Sequence, residues 1–498
     1  MAAPPQTRRV SLPPLHEFRF ELEANEAISV TLLQGRAEVF GSELVAGQAH
    51  PFGDELRAAV WTPDGAELEI SKHETSYVGS ESPIPSYLTL HLALARMRLM
   101  AKQSSFGTAG NQDLSVPDDE ISAPRIMLVG ERGSGKSTLI KMLTNWRIRE
   151  SWAKHGAKGA AVDSSGLVFV NLDVQEGAMT MPGTISIAHM KSMLTTTTPV
   201  SPFGTAISSG PPVPFPTPTN ATEWRPSASV DAYAPTVNPL VFWYGHDATN
   251  ENPDLYDKLL KEAGRCLKRK LEENGTETWK GGCIIDTPGQ WAEKKSMSYI
   301  PKAVRALEAN IVLVVGSQRL EDQVKRLLET NKTVTVVRVP PSNGASEADD
   351  SLAKRVKDAQ IRSYFYGGPA LTAGVLSPFS IIVKFDDLKI FRVGESSETM
   401  APDSALPIGA GRTVSATDLV SIDLTDSKTS SILVGQILAI PQAADDMSDD
   451  SIVASPVLGF VFCSALDQIK KKVTLLSPLP GRLPRKTLLL GSLEWQDS

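Results

Sequence analysis

Cysteine is scarce in this chain. Its three residues, Cys266, Cys283 and Cys463, stand far apart with no C-x-x-C pair. That excludes a disulfide framework or a zinc site built from cysteine alone and suits a reducing compartment. The three read as small buried hydrophobes. Long apolar runs are missing too: stretches such as IVLVV at 311–315 are far too short to span a bilayer. The opening MAAPPQTRRVSLPPL has two arginines but no apolar h-region, and its prolines oppose an amphipathic transit helix. A soluble, intracellular protein with no membrane partner is therefore expected, and the sequon at Asn220 carries no weight. Nor is there an excess of basic charge. Lys and Arg number 50 against 57 Asp and Glu, for a net charge of −7. This argues against a generalised nucleic-acid coat and leaves room for a local basic cleft.

What is present is ordinary for a globular protein, with 41% apolar and 21% charged residues. A length of 498 residues exceeds what one core usually serves, so two to four domains are expected. Residues 16–80 hold short alternating segments (EFRFELE, AISVTLLQ, AEVFG, AAVWT, AELEIS) punctuated by glycine and proline, the pattern of a small antiparallel β domain. YLTLHLALARMRLMAKQ at 87–103 places Leu90, Leu92, Leu94, Met97, Leu99 and Met100 near helical spacing. The polar stretch 104–122 reads as a linker.

From residue 125 strands alternate with helices. RIMLVG, GLVFVNLD, GCIIDTPG and NIVLVVG are short, nearly continuous apolar runs, as parallel strands covered on both faces require. Helices are expected at 137–148, 254–273 and 318–329, giving a doubly wound parallel sheet with ligands at the carboxyl ends of its strands. Two stretches break this rhythm. Residues 195–231 are rich in Pro, Ser and Thr without periodicity and read as a disordered or extended insertion. The acidic PQAADDMSDDSIVAS at 441–455 reads as a long loop. After about residue 378, β-type runs return (SIIVKF, LKIFRVG, ILVGQILAI, LGFVFCSAL, KVTLLSP, TLLLGSLEW), so a third, β-rich domain is expected.

The chemistry starts at RIMLVGERGSGKSTLIKML, residues 125–143, a complete G-x-x-x-x-G-K-[ST] string set between a strand and a helix. Gly130, Gly133, Ser134 and Gly135 form a loop whose backbone N–H groups converge on a β-phosphate, helped by the helix dipole. Lys136 would bridge β- and γ-phosphates, Ser137 would ligate Mg²⁺, and Thr138 follows it. Asp173 ends the next strand, where a carboxylate could bind Mg²⁺ or accept a proton from an attacking hydroxyl; a turn-capping aspartate is the equal alternative. Asp286 in IIDTPG has the form of a GTPase D-x-x-G switch. The guanine-reading N-K-x-D string is incomplete, however, since TNKTVTV lacks the aspartate.

Several strings together resemble one family, the eukaryotic polyribonucleotide 5′-hydroxyl kinases of the Clp type, subunits of the pre-mRNA cleavage and polyadenylation machinery. They are FRFELE, GRAEVFGSEL, the phosphate loop, LDVQEG…MPGTIS, NPLVFWYGHDATNENPDLY, IRSYFYG, VKFDDLKIFRVG and GFVFCSALDQIKKKVTLLSPLPGRLP. The resemblance implies an architecture of three parts: an N-terminal β-sandwich-like domain closing over the adenine (1–105), a central P-loop domain (106–377, with the 195–231 insertion) and a small β-rich C-terminal domain (378–498). By position, Glu21 and Arg57 match residues that contact the adenine, which makes ATP with Mg²⁺ the expected ligand and Ser137 and Asp173 the expected metal residues.

This chain departs from the family at three catalytic elements. The D-x-G-Q string of active relatives reads Asp173-Val174-Gln175-Glu176, which places negative charge where phosphoryl transfer is disfavoured by it. Of two lid arginines, Arg362 fills the second position and Lys357 the first, losing one bidentate fork. The T-x-G-W string reads Thr287-Pro288-Gly289-Gln290-Trp291, so the base-stacking tryptophan comes one residue late. Met181 to Thr184 keep the family's clasp for the RNA phosphate, whose plain reading is a proline–glycine turn. Fungal members with such losses are thought to keep ATP without using it. The expectation is thus a nuclear, ATP-retaining assembly subunit that partners a scaffold subunit and other 3′-end processing subunits, with RNA contact minor. The alternative is an active RNA 5′-hydroxyl kinase with Asp173 as base and Lys357 and Arg362 neutralising charge. A slow ATPase using Gln175 or Glu176 to position water is the lesser third. The lysines at 470–472 read as a solvated strand end.

Overall fold

The computed structural model describes residues 7–23, 26–53, 55–71, 75–106, 122–159, 167–190, 193–194, 205–206, 236–237, 239–273, 281–342, 344–345, 350–367, 377–394, 415–426 and 432–497. Apart from Thr205–Ala206, the expected insertion at 195–231 lies outside them, as does 107–121 of the expected linker. The chain divides into two compact units. One comprises Met1–Val170, His189–Gly204 and Lys268–Leu352, and the other Asn171–Ala188, Thr205–Leu267 and Ala353–Ser498.

The first unit opens with β1 (Thr7–Leu12), β2 (Glu17–Glu21), β3 (Ile28–Gly35), β4 (Glu38–Val39), β5 (Ser42–Glu43), β6 (Ala49–Phe52), β7 (Arg57–Trp61), β8 (Ala66–Ser71) and β9 (Ser76–Gly79). They form two antiparallel sheets ordered β1-β8-β3-β6 and β5-β4-β7-β2-β9. The reason is visible in the side chains. Along β8, Ala66, Leu68 and Ile70 are buried while Glu67, Glu69 and Ser71 between them are partly exposed. A two-residue period can serve only a sheet with one face on a core. Phe20 lies 6.0 Å from Phe18 and 5.4 Å from Phe52, ring to ring, within that core.

Helix α1 (Ile84–Phe106) follows, and the central elements run in this order: β10 (Arg125–Gly130), α2 (Lys136–Gly159), β11 (Leu167–Asn171), β12 (Thr184–Met190), β13 (Thr205–Ala206), β14 (Thr236–Val237), β15 (Leu240–Trp243), α3 (Pro253–Glu273), β16 (Cys283–Asp286), α4 (Tyr299–Leu307), β17 (Ile311–Val315), α5 (Gln318–Leu327), β18 (Thr335–Val339) and α6 (Asp350–Tyr366). In the first unit the strand order is β11-β16-β10-β17-β18. β10 pairs in parallel with β16 (Arg125↔Cys283) and with β17 (Ile126↔Ile311 to Gly130↔Val315). Every residue of β10, β11, β16 and β17 is buried, and apart from Arg125, Asn171 and Asp286 at strand ends these runs are apolar and do not alternate. α5 starts at Ser317, whose side chain accepts from the Leu320 N–H.

The second unit departs from a wholly parallel pattern, because β12 and β15 pair antiparallel, Thr184↔Trp243 to Ile187↔Leu240. Its C-terminal part contains β19 (Phe379–Lys384), β20 (Lys389–Val393), β21 (Leu419–Ser421), β22 (Gln436–Pro441), α7 (Asp449–Ala454), β23 (Val457–Asp467), β24 (Lys472–Ser477) and β25 (Thr487–Glu494). The sheet order is β19-β24-β23-β22-β25-β20-β21. One face packs Phe460, Phe462, Leu489 and Trp495 against Ile361, Tyr364 and Phe365 of α6. The other holds Leu438, Val461, Cys463, Val473 and Leu488. Cys463 and Cys283 are free and buried, and burial pushes both thiols up to about 12. The expectation of an unbroken loop at 441–455 is corrected by α7. Ser448 caps that turn by accepting from Ser451 N–H, and Asp449 and Asp450 sit where the helix dipole favours acid.

Candidate nucleotide-binding site

The phosphate loop leaves β10 at Gly130 and enters α2 at Lys136. Gly133 and Gly135 hold φ of 72° and 90°, a region that side chains other than glycine rarely enter. Gly130 is fixed by space instead: a Cβ there would lie 2.6 Å from both Ser134 Oγ and Val315 O. Lys136 Nζ donates to the carbonyls of Gly130 (3.0 Å) and Glu131 (3.1 Å), so its stem is buried and its ammonium is held inside the loop. Ser134 Oγ is buried without a hydrogen-bond partner among the described residues. A loop with two left-handed glycines, a caged ammonium and an orphaned hydroxyl fits a nucleotide's phosphates. Ser137 and Thr138 open the helix beneath it. Among the described residues no group of three or more His, Cys, Asp or Glu could hold a metal ion.

The IIDTPG string supports this loop. Thr287 Oγ1 donates to Leu128 O (2.5 Å), tying the end of β16 to β10, and Thr287 N–H donates to Asp286 Oδ1 (2.9 Å). Gly289 lets the two loops touch, since a Cβ there would meet Arg132 N at 2.8 Å. Gly289 is the glycine of the D-x-x-G form and of the T-P-G-Q-W string; the close approach to Arg132 that it permits is not marked by either. Trp291 is fully buried and lies flat on Tyr299, with ring centroids 5.6 Å apart and planes at 13°. Its faces are taken by the core. Glu21 and Arg57, at the paired ends of β2 and β7, form an ion pair of 2.6 Å with both side chains partly open to solvent.

The second unit brings together the other expected residues around one loop and one helix. Asp173 is buried, and its Oδ1 accepts from Gln175 N–H (3.0 Å). Asn171 grips it from both sides, accepting from Asp173 N–H (3.1 Å) and donating to Asp173 O (3.0 Å). Glu176 is exposed. Gly177, at φ 54°, packs so tightly that a Cβ would meet Pro182 N at 2.4 Å. Gln360 of α6, which no sequence signal marks, donates to Gly177 O (2.8 Å) and so ties the Asp173 loop to the helix carrying Lys357 and Arg362. Lys357 Nζ donates to both carboxylate oxygens of Asp247, at 2.8 and 2.6 Å. Arg362 lies over the Tyr366 ring, 5.3 Å from its centre. Five residues apart on a helix, Lys357 and Arg362 diverge by about 140°. In the clasp, Thr184 Oγ1 donates to Met181 O (2.6 Å), and Gly183, at φ 75°, donates to Val174 O (2.7 Å).

Comparison with known proteins matches three family profiles along the chain. Residues 11–101 match the N-terminal beta-sandwich domain of polyadenylation factor. Residues 130–204 and 216–367 match the mRNA cleavage and polyadenylation factor CLP1 P-loop, and 376–497 the pre-mRNA cleavage complex II protein Clp1. The mRNA cleavage and polyadenylation factor CLP1 of Laccaria bicolor is 34% identical over 521 residues, covering 99% of this chain and 98% of its own. A solved complex of wild-type Clp1p with Pcf11p is similar in fold, with TM-score 0.75, 22% identity and 100% of each chain covered. A second, described by an extended Pcf11p–Clp1p interface and the basis of ATP loss in a glycine-to-arginine mutant, has TM-score 0.74 at 22% identity and covers 99% and 100%. From the identity over its full length and the three profiles in sequence, this chain belongs to the Clp1 family of mRNA cleavage and polyadenylation factors.

Proposed function

We propose that this chain binds ATP with Mg²⁺ and keeps it, serving as an assembly subunit of the nuclear pre-mRNA 3′-end cleavage and polyadenylation complex and not as a working kinase. The observation that carries this reading is Trp291, buried face to face on Tyr299 while the phosphate loop keeps its full geometry. A protein that cradles phosphate without an RNA-base platform can retain a nucleotide more readily than transfer from it. The pairing of Lys357 with Asp247 supports the same conclusion, since it occupies a cation assigned to the transferring phosphoryl group.

Within this reading Gly130, Gly133, Ser134, Gly135, Lys136 and Thr138 hold phosphate, Ser137 ligates Mg²⁺, and Glu21 and Arg57 face the adenine. Asp173 carries its metal assignment by sequence position alone. The divisions at 1–105, 106–377 and 378–498 are proposed as the domains. The partner is a scaffold subunit of the cleavage factor, by analogy with the Clp1p–Pcf11p complexes, and RNA contact is minor. Bound ATP would act through mass action, stabilising the folded state that binds it.

The test is to purify the full chain without added nucleotide, denature it and chromatograph what is released, alongside a radiolabel assay on 5′-hydroxyl RNA. Stoichiometric intact ATP with unlabelled RNA is expected. Labelled RNA from the wild type, abolished by Lys136→Ala, would replace this reading with an active 5′-hydroxyl kinase.

A further inference from the structure

Helix α1 packs inward through a regular seam. Ile84, Tyr87, His91, Leu94, Arg98 and Ala101 are buried, alternately three and four residues apart like the a and d positions of a heptad. Tyr87 donates its hydroxyl to Pro340 O (2.7 Å), the His91 ring lies 5.7 Å from that of Trp146 on α2, and Arg98 meets Glu150 at 3.5 Å. That seam decides which residues point away from the unit. They are Ser86, Thr89, Leu92, Ala93, Arg96, Leu99 and Met100, and from Leu92 onward this side is apolar except for Arg96, at positions where a surface helix ordinarily carries charged or polar residues. Leu92 is 66% exposed, Leu99 48% and Met100 37%. Between Leu92 and Met100 the outer side of α1 is largely apolar, and the described residues leave it uncovered.

Charge narrows what covers that side. From Ile84 to Phe106 there is no acidic residue, and Arg96 stands between Leu92 and Leu99 on the outer stripe. A second copy docked about a two-fold axis through the middle of this stripe would bring Arg96 up to its own copy, with no carboxylate on either helix to offset it. An amphipathic helix whose apolar stripe includes an aspartate or glutamate meets both requirements.

We propose that the outer face of α1 docks such an acidic-apolar helix from another subunit of the 3′-end processing complex, with Leu92, Leu99 and Met100 as apolar contacts and Arg96 as its charge determinant. This rests on the assembly role proposed above.

The test replaces Leu99 by a photo-crosslinking amino acid in the full chain, assembles it with purified subunits of the cleavage factor and maps the product. In parallel, the affinities of wild type, Leu92→Asp and Arg96→Glu for the assembled subunits are compared. Expected are a crosslink to a partner helix carrying Asp or Glu, and at least a fivefold loss for each variant. Arg96→Glu should be rescued by reversing the partner's acidic residue. Melting temperature and retained nucleotide should be unchanged, because these side chains are exposed. A crosslink to a second copy, no crosslink, or a smaller loss overturns the surface alone while wild-type assembly stands. Failure of the wild type to assemble overturns the assembly role, and this surface falls with it.

Discussion

Lys357 Nζ lies on both oxygens of Asp247, at 2.8 and 2.6 Å. The lysine expected to neutralise a transferring phosphoryl group is thereby given a carboxylate of its own. Two other departures, the buried Trp291 and Glu176 in place of a neutral amide, are independent of this pair.

Releasing the lysine should therefore not restore chemistry. Asp247→Asn is expected to leave 5′-hydroxyl RNA phosphorylation at background in the radiolabel assay. Because both side chains are partly solvated, the stability change should stay within about 1 kcal/mol by urea denaturation. Label appearing on RNA would mean that the Asp247 pair alone silences the site.

Trp291 should behave as a core residue. Trp291→Ala removes a fully buried ring stacked on Tyr299 and is expected to cost about 3–5 kcal/mol in urea unfolding. Trp291→Phe, which keeps a ring, should recover most of that loss and leave affinity for single-stranded RNA unchanged. A loss below about 1 kcal/mol with weakened RNA binding would instead mark an accessible stacking platform.

The phosphate loop separates conformation from space. Gly130→Ala drives a methyl into Val315 O and Ser134 Oγ at 2.6 Å, and Lys136→Ala removes the caged ammonium. Both should purify with little or no nucleotide in the release assay. If nucleotide is held at a hundred times its Kd, either variant should also lose about 2.7 kcal/mol of apparent stability, read as a lower melting temperature. Retention of ATP by both variants would place the nucleotide elsewhere.

Local chemistry was legible in the sequence where neighbouring residues carry it. The phosphate loop, the apolar β10 and β17, and the alternation of β8 all follow from short-range spacing. Partners far apart in the chain were not. Nothing near Lys357 announces Asp247, and nothing near Gly177 announces Gln360. Spacing announces the helix α1 but not its buried seam, which uses His91 and Arg98, whose polarity hides it. The polar, acidic stretch before β23 reads as loop, whereas Ser448 caps a helix start within it.

Lys141 offers a pH test of the first unit. It projects from α2 over the Phe40 ring, 4.7 Å from its centre, and burial lowers its pKa to about 8 from an ordinary 10.5. Between these values the unfolded chain holds the proton and the folded one does not, so stability rises with pH across this window. Below about pH 8 the full penalty of a buried ammonium is present, and above about 10.5 it is gone. A shift of this size corresponds to roughly 3 kcal/mol, part of which the ring contact offsets. Lys141→Met keeps the stem and removes the charge. It should be more stable than wild type at pH 7, with the gap closing as pH approaches 10, measured by urea unfolding at each pH. A gap that does not change with pH would mean the ammonium reaches water and the gain comes from packing alone.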